Sequence, residues 1–224
     1  EKNIFYLPEK ETLSLEIPYK TSDSLTAILL GNLLKKEIFI LPEFTDKTDI
    51  AYGISTDSVL ERMMEVSDNF LAEQLLLSAA EFTLDSMQVS SIQKYILKGS
   101  LKDLAQQPRW VDGSGLSRYN LFTPLSITQV LHKMYLKYPW DKLIHFFPAG
   151  GEKGTLNNWF KGEQKPYIYA KTGSLGNTYC LSGFLITKNN KRLIFSYMNN
   201  HFTKPISQIK QEMEMVLEAI RDQY

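Results

Sequence analysis

One cysteine and three histidines are a thin supply of metal and redox chemistry for a chain of 224 residues. The single thiol, Cys180, excludes an internal disulfide, and its place in an apolar, strand-like run marks it as a buried, inert side chain. His132, His145 and His201 stand far apart, without an H-E-x-x-H pattern or clustered cysteines, so no metal is expected and no cofactor. Charge of one sign is missing as well: 25 Lys and Arg balance 25 Asp and Glu. No global field therefore draws the chain to nucleic acid or to an anionic membrane. Long hydrophobic runs are also lacking. The longest apolar stretch, Phe70 to Phe82, is broken by Glu73, Gln74 and Glu81, so no transmembrane segment is expected. The chain opens Glu1-Lys2-Asn3 with neither an initiator methionine nor an apolar leader, as expected after removal of a leader or for part of a longer protein.

What is present reads as an ordinary globular chain, 43% hydrophobic and 22% charged, with length enough for a substantial core. Residues 1–20 read as extended, with Ile4-Phe5-Tyr6-Leu7 and the alternating Leu13, Leu15 and Ile17, like the end of a sheet begun in a preceding domain. Residues 21–224 read as one further domain. Thr21-Ser22-Asp23 caps a helix closed by Lys35-Lys36, Ile38 to Leu41 reads as a short strand, and Ser55-Thr56-Asp57 caps a second helix that delivers the chain to Ser67. Ser67-Asp68-Asn69 reads as the start of a third helix. Val89 to Leu97 is a fourth, Leu101 to Ala105 a shorter one ended by Pro108, and Pro124 and Pro139 open two more. Three strands follow, Tyr167 to Lys171, Tyr179 to Thr187 and Arg192 to Met198, the last two joined by a Lys188-Asn-Asn-Lys191 turn, before a final amphipathic helix from Pro205 to Asp222.

The stretch Tyr169-Ala-Lys-Thr-Gly-Ser-Leu175 carries the chemistry. Lys171 supplies a point charge and Thr172 a rotatable donor. Gly173 supplies the absence of a Cβ, so that a substrate can lie along the strand while the Ser174 N–H faces a carbonyl oxygen. About a hundred residues upstream stands Ser67-Asp68-Asn69, and S-D-N followed by K-T-G belongs, with a nucleophilic S-x-x-K, to the signature set of penicillin-binding proteins and class A β-lactamases. Between them lie Asp112-Gly-Ser-Gly-Leu-Ser-Arg118 and Pro148-Ala-Gly-Gly-Glu-Lys-Gly-Thr-Leu156. In this combination, from about Leu15 to the C-terminus, the chain resembles the class C low-molecular-mass penicillin-binding proteins, the D-alanyl-D-alanine carboxypeptidase/endopeptidase family. A class A β-lactamase is the weaker resemblance, because no deacylating glutamate can be placed.

The resemblance implies an α/β (α+β) penicillin-binding-protein/β-lactamase-like transpeptidase fold, an antiparallel sheet flanked by helices and incomplete in this chain. By residue-wise correspondence, Ser67 relays a proton to the departing D-Ala nitrogen and Asn69 hydrogen-bonds the substrate amide. Lys171 sets the local positive potential, Thr172 and Gly173 receive the substrate with its terminal carboxylate, and the Ser174 N–H is half of an oxyanion hole. The implied partner is a peptidoglycan stem peptide or a β-lactam, and the implied location is the periplasm or another exported compartment. The family's S-x-x-K precedes S-D-N. Here only Ser91-Ile-Gln-Lys94 and Ser207-Gln-Ile-Lys210 fit the spacing, both after Ser67 on amphipathic helices, so neither is expected to be the nucleophile. The chain is expected to be inactive alone and to need its missing N-terminal half, or self-association, to cover the strand at Ile194 to Tyr197. The alternative is a non-catalytic peptidoglycan-peptide-binding or scaffold protein that keeps the S-D-N and K-T-G receptor.

Overall fold

The computed structural model describes residues 20–41 and 52–224. The chain divides into two compact units, Glu1–Tyr52 and Gly53–Tyr224. In the first, helix α1 (Asp23–Leu34) begins where the Ser22 hydroxyl accepts the Leu25 N–H at 3.2 Å, and Lys35 ends it in the left-handed region at φ 54°. The strand expected at Ile38–Leu41 is not formed among the described residues. A strand needs a neighbour to take its N–H and C=O groups, and these four residues have none there. The extended segments expected at Ile4–Leu7 and Leu13–Ile17 lie outside the described residues.

In the second unit, α2 (Thr56–Val66), α3 (Asn69–Leu84), α4 (Val89–Lys98), α5 (Pro124–Lys137) and α6 (Trp140–His145) precede a 3-10 turn at Gly154–Leu156. Strands β1 (Ile168–Leu175), β2 (Thr178–Ile186) and β3 (Arg192–Asn200) follow, then α7 (Ile206–Gln223). Helix starts obey their caps: the Ser55 hydroxyl accepts the Ser58 N–H, and the Thr123 hydroxyl accepts the Ser126 N–H with Pro124 at the first helical position. The short helix expected at Leu101–Ala105 is instead a series of turns. The Gln107 amide donates to the carbonyls of Leu101, Lys102 and Leu104, taking the place of the N–H groups that a helix would bring to them.

The strands form one antiparallel sheet in the order β1-β2-β3, with Lys171 opposite Ser182 and Gly173 opposite Cys180. Alternation sends Ile168, Ala170, Leu181 and Leu185 to one face, where α7 covers them with Ile209, Met213 and Leu217. Tyr169, Phe184 and Ile194 point to the other face and pack on Leu131, Leu143 and Phe147 from α5, α6 and the segment after it. β1 is longer than expected. It does not end at Lys-Thr-Gly but runs on to Leu175 and reverses over Gly176-Asn177, with Asn177 at φ 59°. Gly-Asn between two strand-like runs is a two-residue hairpin signal, so the cue stood five residues beyond the expected strand end at Lys171. The outer edge of β3 has no strand partner among the described residues.

Candidate active site

The Ser67-Asp68-Asn69 tripeptide serves three structural positions at once. Ser67 is the last cap of α2, in the left-handed region at φ 58°, with its N–H bonded to the Met63 carbonyl. Asp68 caps α3, its carboxylate accepting the Leu71 N–H at 3.0 Å, and Asn69 is the first residue of that helix. Capping therefore falls to Asp68 and leaves the Ser67 hydroxyl free for another partner. That partner is Lys171, 104 residues away, whose Nζ donates to Ser67 Oγ at 2.7 Å and to the Thr172 carbonyl at 2.8 Å. Burial pushes the Lys171 ammonium down to about 8. Asn69 is exposed in the first turn of α3, two residues from this contact.

The edge of β1 has two parts. Gly150 donates its N–H to Ile168 and Ala170 donates its N–H to Pro148, so the segment after α6 closes the first part. The period of the strand points the N–H groups of Thr172 and Ser174 the same way, away from β2, and beyond Ala170 no strand covers them among the described residues. Gly173 and Ser174 are exposed. The open stretch thus offers a cation on one side, backbone donors in the plane of the sheet, and the Thr172 hydroxyl.

Three groups that the motifs alone did not single out hold this arrangement. Thr155, in the 3-10 turn, accepts a hydrogen bond from the Thr172 hydroxyl at 2.9 Å. Its segment is clamped to α2 by Lys153, whose Nζ reaches Glu61 at 3.2 Å and the His145 carbonyl at 2.9 Å. Glu73 lies one turn beyond Asn69 on α3 and accepts the N–H groups of Gly113 at 3.1 Å and Ser114 at 2.9 Å. Burial raises its carboxyl, but the hydroxyl and N–H of Ser114 and the N–H of Gly113 outweigh that and hold it below its ordinary value. Arg118, at the far end of the same loop, brings its guanidinium to 3.2 Å from where a Cβ on Gly176 would stand. Between these ends Asp112 accepts the N–H groups of Gly115 and Ser117, each at 2.7 Å, so the loop is internally braced. Thr155 and Arg118 sit inside stretches already noted in the sequence; Glu73 gave no signal beyond its spacing from Asn69.

The two local S-x-x-K matches lie elsewhere. The Ser91 hydroxyl donates to Gln88 at the start of α4 while Lys94 is exposed, and Lys210 of α7 stands over the rings of Trp159 and Tyr179.

This architecture is that of the penicillin-binding proteins and β-lactamases. The chain superposes on penicillin binding protein 4 of Haemophilus influenzae, solved in complex with a β-lactam, with a TM-score of 0.73 at 22% identity, over 92% of this chain and 53% of that one. It also superposes on the TLA-1 extended-spectrum β-lactamase, with a TM-score of 0.56 at 15% identity, over 75% of this chain and 64% of that one. Residues 54–220 match the model of the D-Ala-D-Ala carboxypeptidase 3 (S13) family, and the chain belongs to that family. Among curated proteins it is 33% identical over 160 residues to the D-alanyl-D-alanine carboxypeptidase DacB of Haemophilus influenzae, covering 65% of this chain and 32% of that protein. It is 27% identical over 152 residues to the carboxypeptidase DacB of Mycolicibacterium smegmatis, covering 63% of this chain and 33% of that protein. The chain thus spans about a third of the length of these curated relatives. The family and the α+β fold read from the motifs are those found.

Proposed function

We propose that this chain carries the proton-relay and substrate-receptor part of a serine-type D-Ala-D-Ala carboxypeptidase/endopeptidase that acts on peptidoglycan stem peptides through an acyl-enzyme. The observation that supports it best is the 2.7 Å contact between Lys171 Nζ and Ser67 Oγ beside the open edge of β1. A peptide ending in D-Ala-D-Ala lies along that edge as an added strand. Its terminal carboxylate meets Thr172 and the Lys171 charge, the Asn69 amide bonds the peptide backbone, and the scissile carbonyl oxygen turns to the Ser174 N–H. One oxyanion donor of this kind is worth about 3 kcal/mol in the transition state. The attacking hydroxyl comes from an S-x-x-K segment outside these 224 residues. As its oxygen bonds the carbonyl carbon, that hydroxyl gives its proton to the lysine of the same segment; as the C–N bond breaks, Ser67 passes its own proton to the leaving D-Ala nitrogen and is reprotonated from Lys171, to which the first proton returns, and water then releases the acyl group. Gly173, with no Cβ, leaves room for the peptide against the strand.

The substrate class makes an exported location part of the proposal, and no helix among the described residues is long and apolar enough to cross a membrane. The uncovered edge of β3 is assigned to the same missing half of the protein, or to a second copy. Intact-mass spectrometry with a labelled penicillin tests the reading. The 224-residue chain is expected to gain no adduct, and a form extended upstream through an S-x-x-K to gain one, mapped to that serine. An adduct on Ser67, Ser91, Ser114 or Ser207 of the short chain overturns the assignment of the nucleophile. An extended form that binds the D-Ala-D-Ala peptide yet is never acylated makes the protein a non-catalytic peptide-binding scaffold.

A further inference from the structure

Ser67 stands at the end of α2 and Lys171 on β1, so the 2.7 Å between them is set by how the helix lies against the strand. Met64 of α2 packs on the apolar cluster of Leu131, Leu143, Phe147 and Phe184. Apolar contact is non-directional and does not by itself fix how far a helix slides or rolls. Directional contacts must do that, and among the described residues α2 has three basic partners. Two of them, Lys142 on Asp57 and His145 on Glu61, come from α6. The third is Lys153, whose Nζ lies 3.2 Å from Glu61.

Lys153 is the partner that leads to β1. Its backbone exchanges two hydrogen bonds with Ala149, at 3.1 and 3.2 Å, which close residues 149–153 into a tight turn. On either side of Ala149, the Pro148 carbonyl accepts the Ala170 N–H at 3.0 Å and the Gly150 N–H donates to the Ile168 carbonyl at 2.9 Å. The turn is thus fastened to the strand one residue before Lys171. From it the Lys153 ammonium reaches Glu61 and also donates to the His145 carbonyl at 2.9 Å, which fixes its direction. The next residue, Gly154, lies against the last turn of α2, where a Cβ would stand 2.6 Å from the Glu65 carbonyl oxygen. Lys153 and Gly154 therefore meet α2 at two points one helical turn apart, the second of them two residues from Ser67. Lys153 and Glu61 are 28% and 31% exposed, so water screens their attraction only in part.

We infer that Lys153 is a positioning residue for the Ser67–Lys171 pair: its ammonium, held between Glu61 and the His145 carbonyl, locks α2 to the turn that closes the edge of β1 and so sets the distance from the Ser67 oxygen to the Lys171 nitrogen. The part played by that pair in catalysis rests on the reading given above; the locking does not. Lys153 bonds to neither member of the pair and takes no part in proton transfer. Without it α2 keeps its ties to α6, but none of its ion pairs reaches the segment along β1, and the end of the helix can draw back from the strand. Water then reaches Lys171, whose low titration midpoint is due to burial.

The test is the titration of Lys171 in the 224-residue chain, followed by NMR at its Cε and assigned from the signal lost in Lys171→Met. Wild type is expected to titrate near about 8. Lys153→Met and Glu61→Gln are each expected to raise that midpoint by at least about half a unit. Lys153→Arg, which still spans both acceptors, is expected to stay near wild type. The first two variants form a pair because charge alone would move them apart: removing a nearby cation raises a lysine midpoint, and removing a nearby carboxylate lowers it. Lys133→Met, which breaks the Lys133–Asp103 pair outside this arrangement, is expected to leave the midpoint unchanged. In the form extended upstream through an S-x-x-K, Lys153→Met is expected to slow acylation by penicillin about tenfold. An unchanged midpoint in Lys153→Met overturns the inference, as do opposite shifts in Lys153→Met and Glu61→Gln, an equal rise in Lys133→Met, or an acylation rate that Lys153→Met does not alter. An extended wild-type form that is never acylated overturns the carboxypeptidase reading, while the titration still decides the inference.

Discussion

The two halves of β1 are built from one strand and behave as two materials. From Ile168 to Ala170 both faces are packed and the outer edge is closed by Pro148 and Gly150. From Lys171 to Ser174 the side chains are polar or absent, and the edge is open among the described residues. The first half supplies rigidity and the second inherits it. Backbone donors at Thr172 and Ser174 are held in place without a covering chain because the strand that bears them is anchored two residues earlier. An edge of this kind, the one proposed above as the receptor, depends where it is open on close packing where it is closed.

The contrast is broken most severely from the packed side. Gly183 pairs with Ala170, and a methyl group there would stand 2.2 Å from the Tyr169 carbonyl oxygen and 2.6 Å from the Ala170 Cα. Gly183→Ala is expected to destabilise the chain by about 3 kcal/mol, visible as a lower urea midpoint, because backbone rather than a flexible side chain must give way. On the open side the largest effect falls on the cation. Lys171→Met is expected to weaken binding of an N-acetylated peptide ending in D-Ala-D-Ala, the acid peptide, about tenfold to a hundredfold, read by NMR titration, through loss of a charge-assisted contact.

Acidity gives a gentler version of the same change. Below about 8 Lys171 is charged and above it neutral, so wild-type affinity for the acid peptide is expected to fall as pH rises through about 8, and the Lys171→Met variant to show no such step. The stability of the free chain moves the other way. The folded state sheds a proton that the unfolded state keeps, so the Lys171 contribution to stability rises with pH from about 8 toward the ordinary lysine value of 10.5. Urea midpoints across that range check the sign.

The smallest effect belongs to Gly173→Ala. Its Cβ would meet nothing closer than the Cys180 Cβ at 3.9 Å. Stability is expected to stay within about 0.5 kcal/mol of wild type, while peptide affinity drops about fivefold as the methyl group enters the space proposed for ligand. A loss of stability as large as that of Gly183→Ala would erase the distinction between the halves.

Much of this was readable beforehand because it is local. Ser22 and Ser55 cap their helices where the pattern put them, and the Lys188–Lys191 reversal joins β2 to β3 as its turn residues require. What could not be read was whatever depends on how distant segments approach. Leu101–Ala105 looks helical until the Gln107 side chain takes its carbonyls, and Ile38–Leu41 looks like a strand although no neighbour is present among the described residues to pair with it. Ser67 was legible as a helix boundary, but the sequence does not say that Asp68 does the capping and frees its hydroxyl. Thr155 and Glu73 act across 17 and about 40 residues, and no periodicity reports contacts of that kind.

Ser67 occupies a pivot. It is the first of the two residues between two stiff rods, α2 before it and α3 beyond Asp68, and a point on an axle is displaced least when the rods change their angle. A tilt of about 5° carries the far end of α3, about 24 Å away, through about 2 Å, yet moves an atom about 2.5 Å from the axle by only about 0.2 Å. A tilt of α3 about its first turn would therefore leave the distance from the Ser67 oxygen to the Lys171 nitrogen almost unchanged, because Ser67 belongs to the cap of α2.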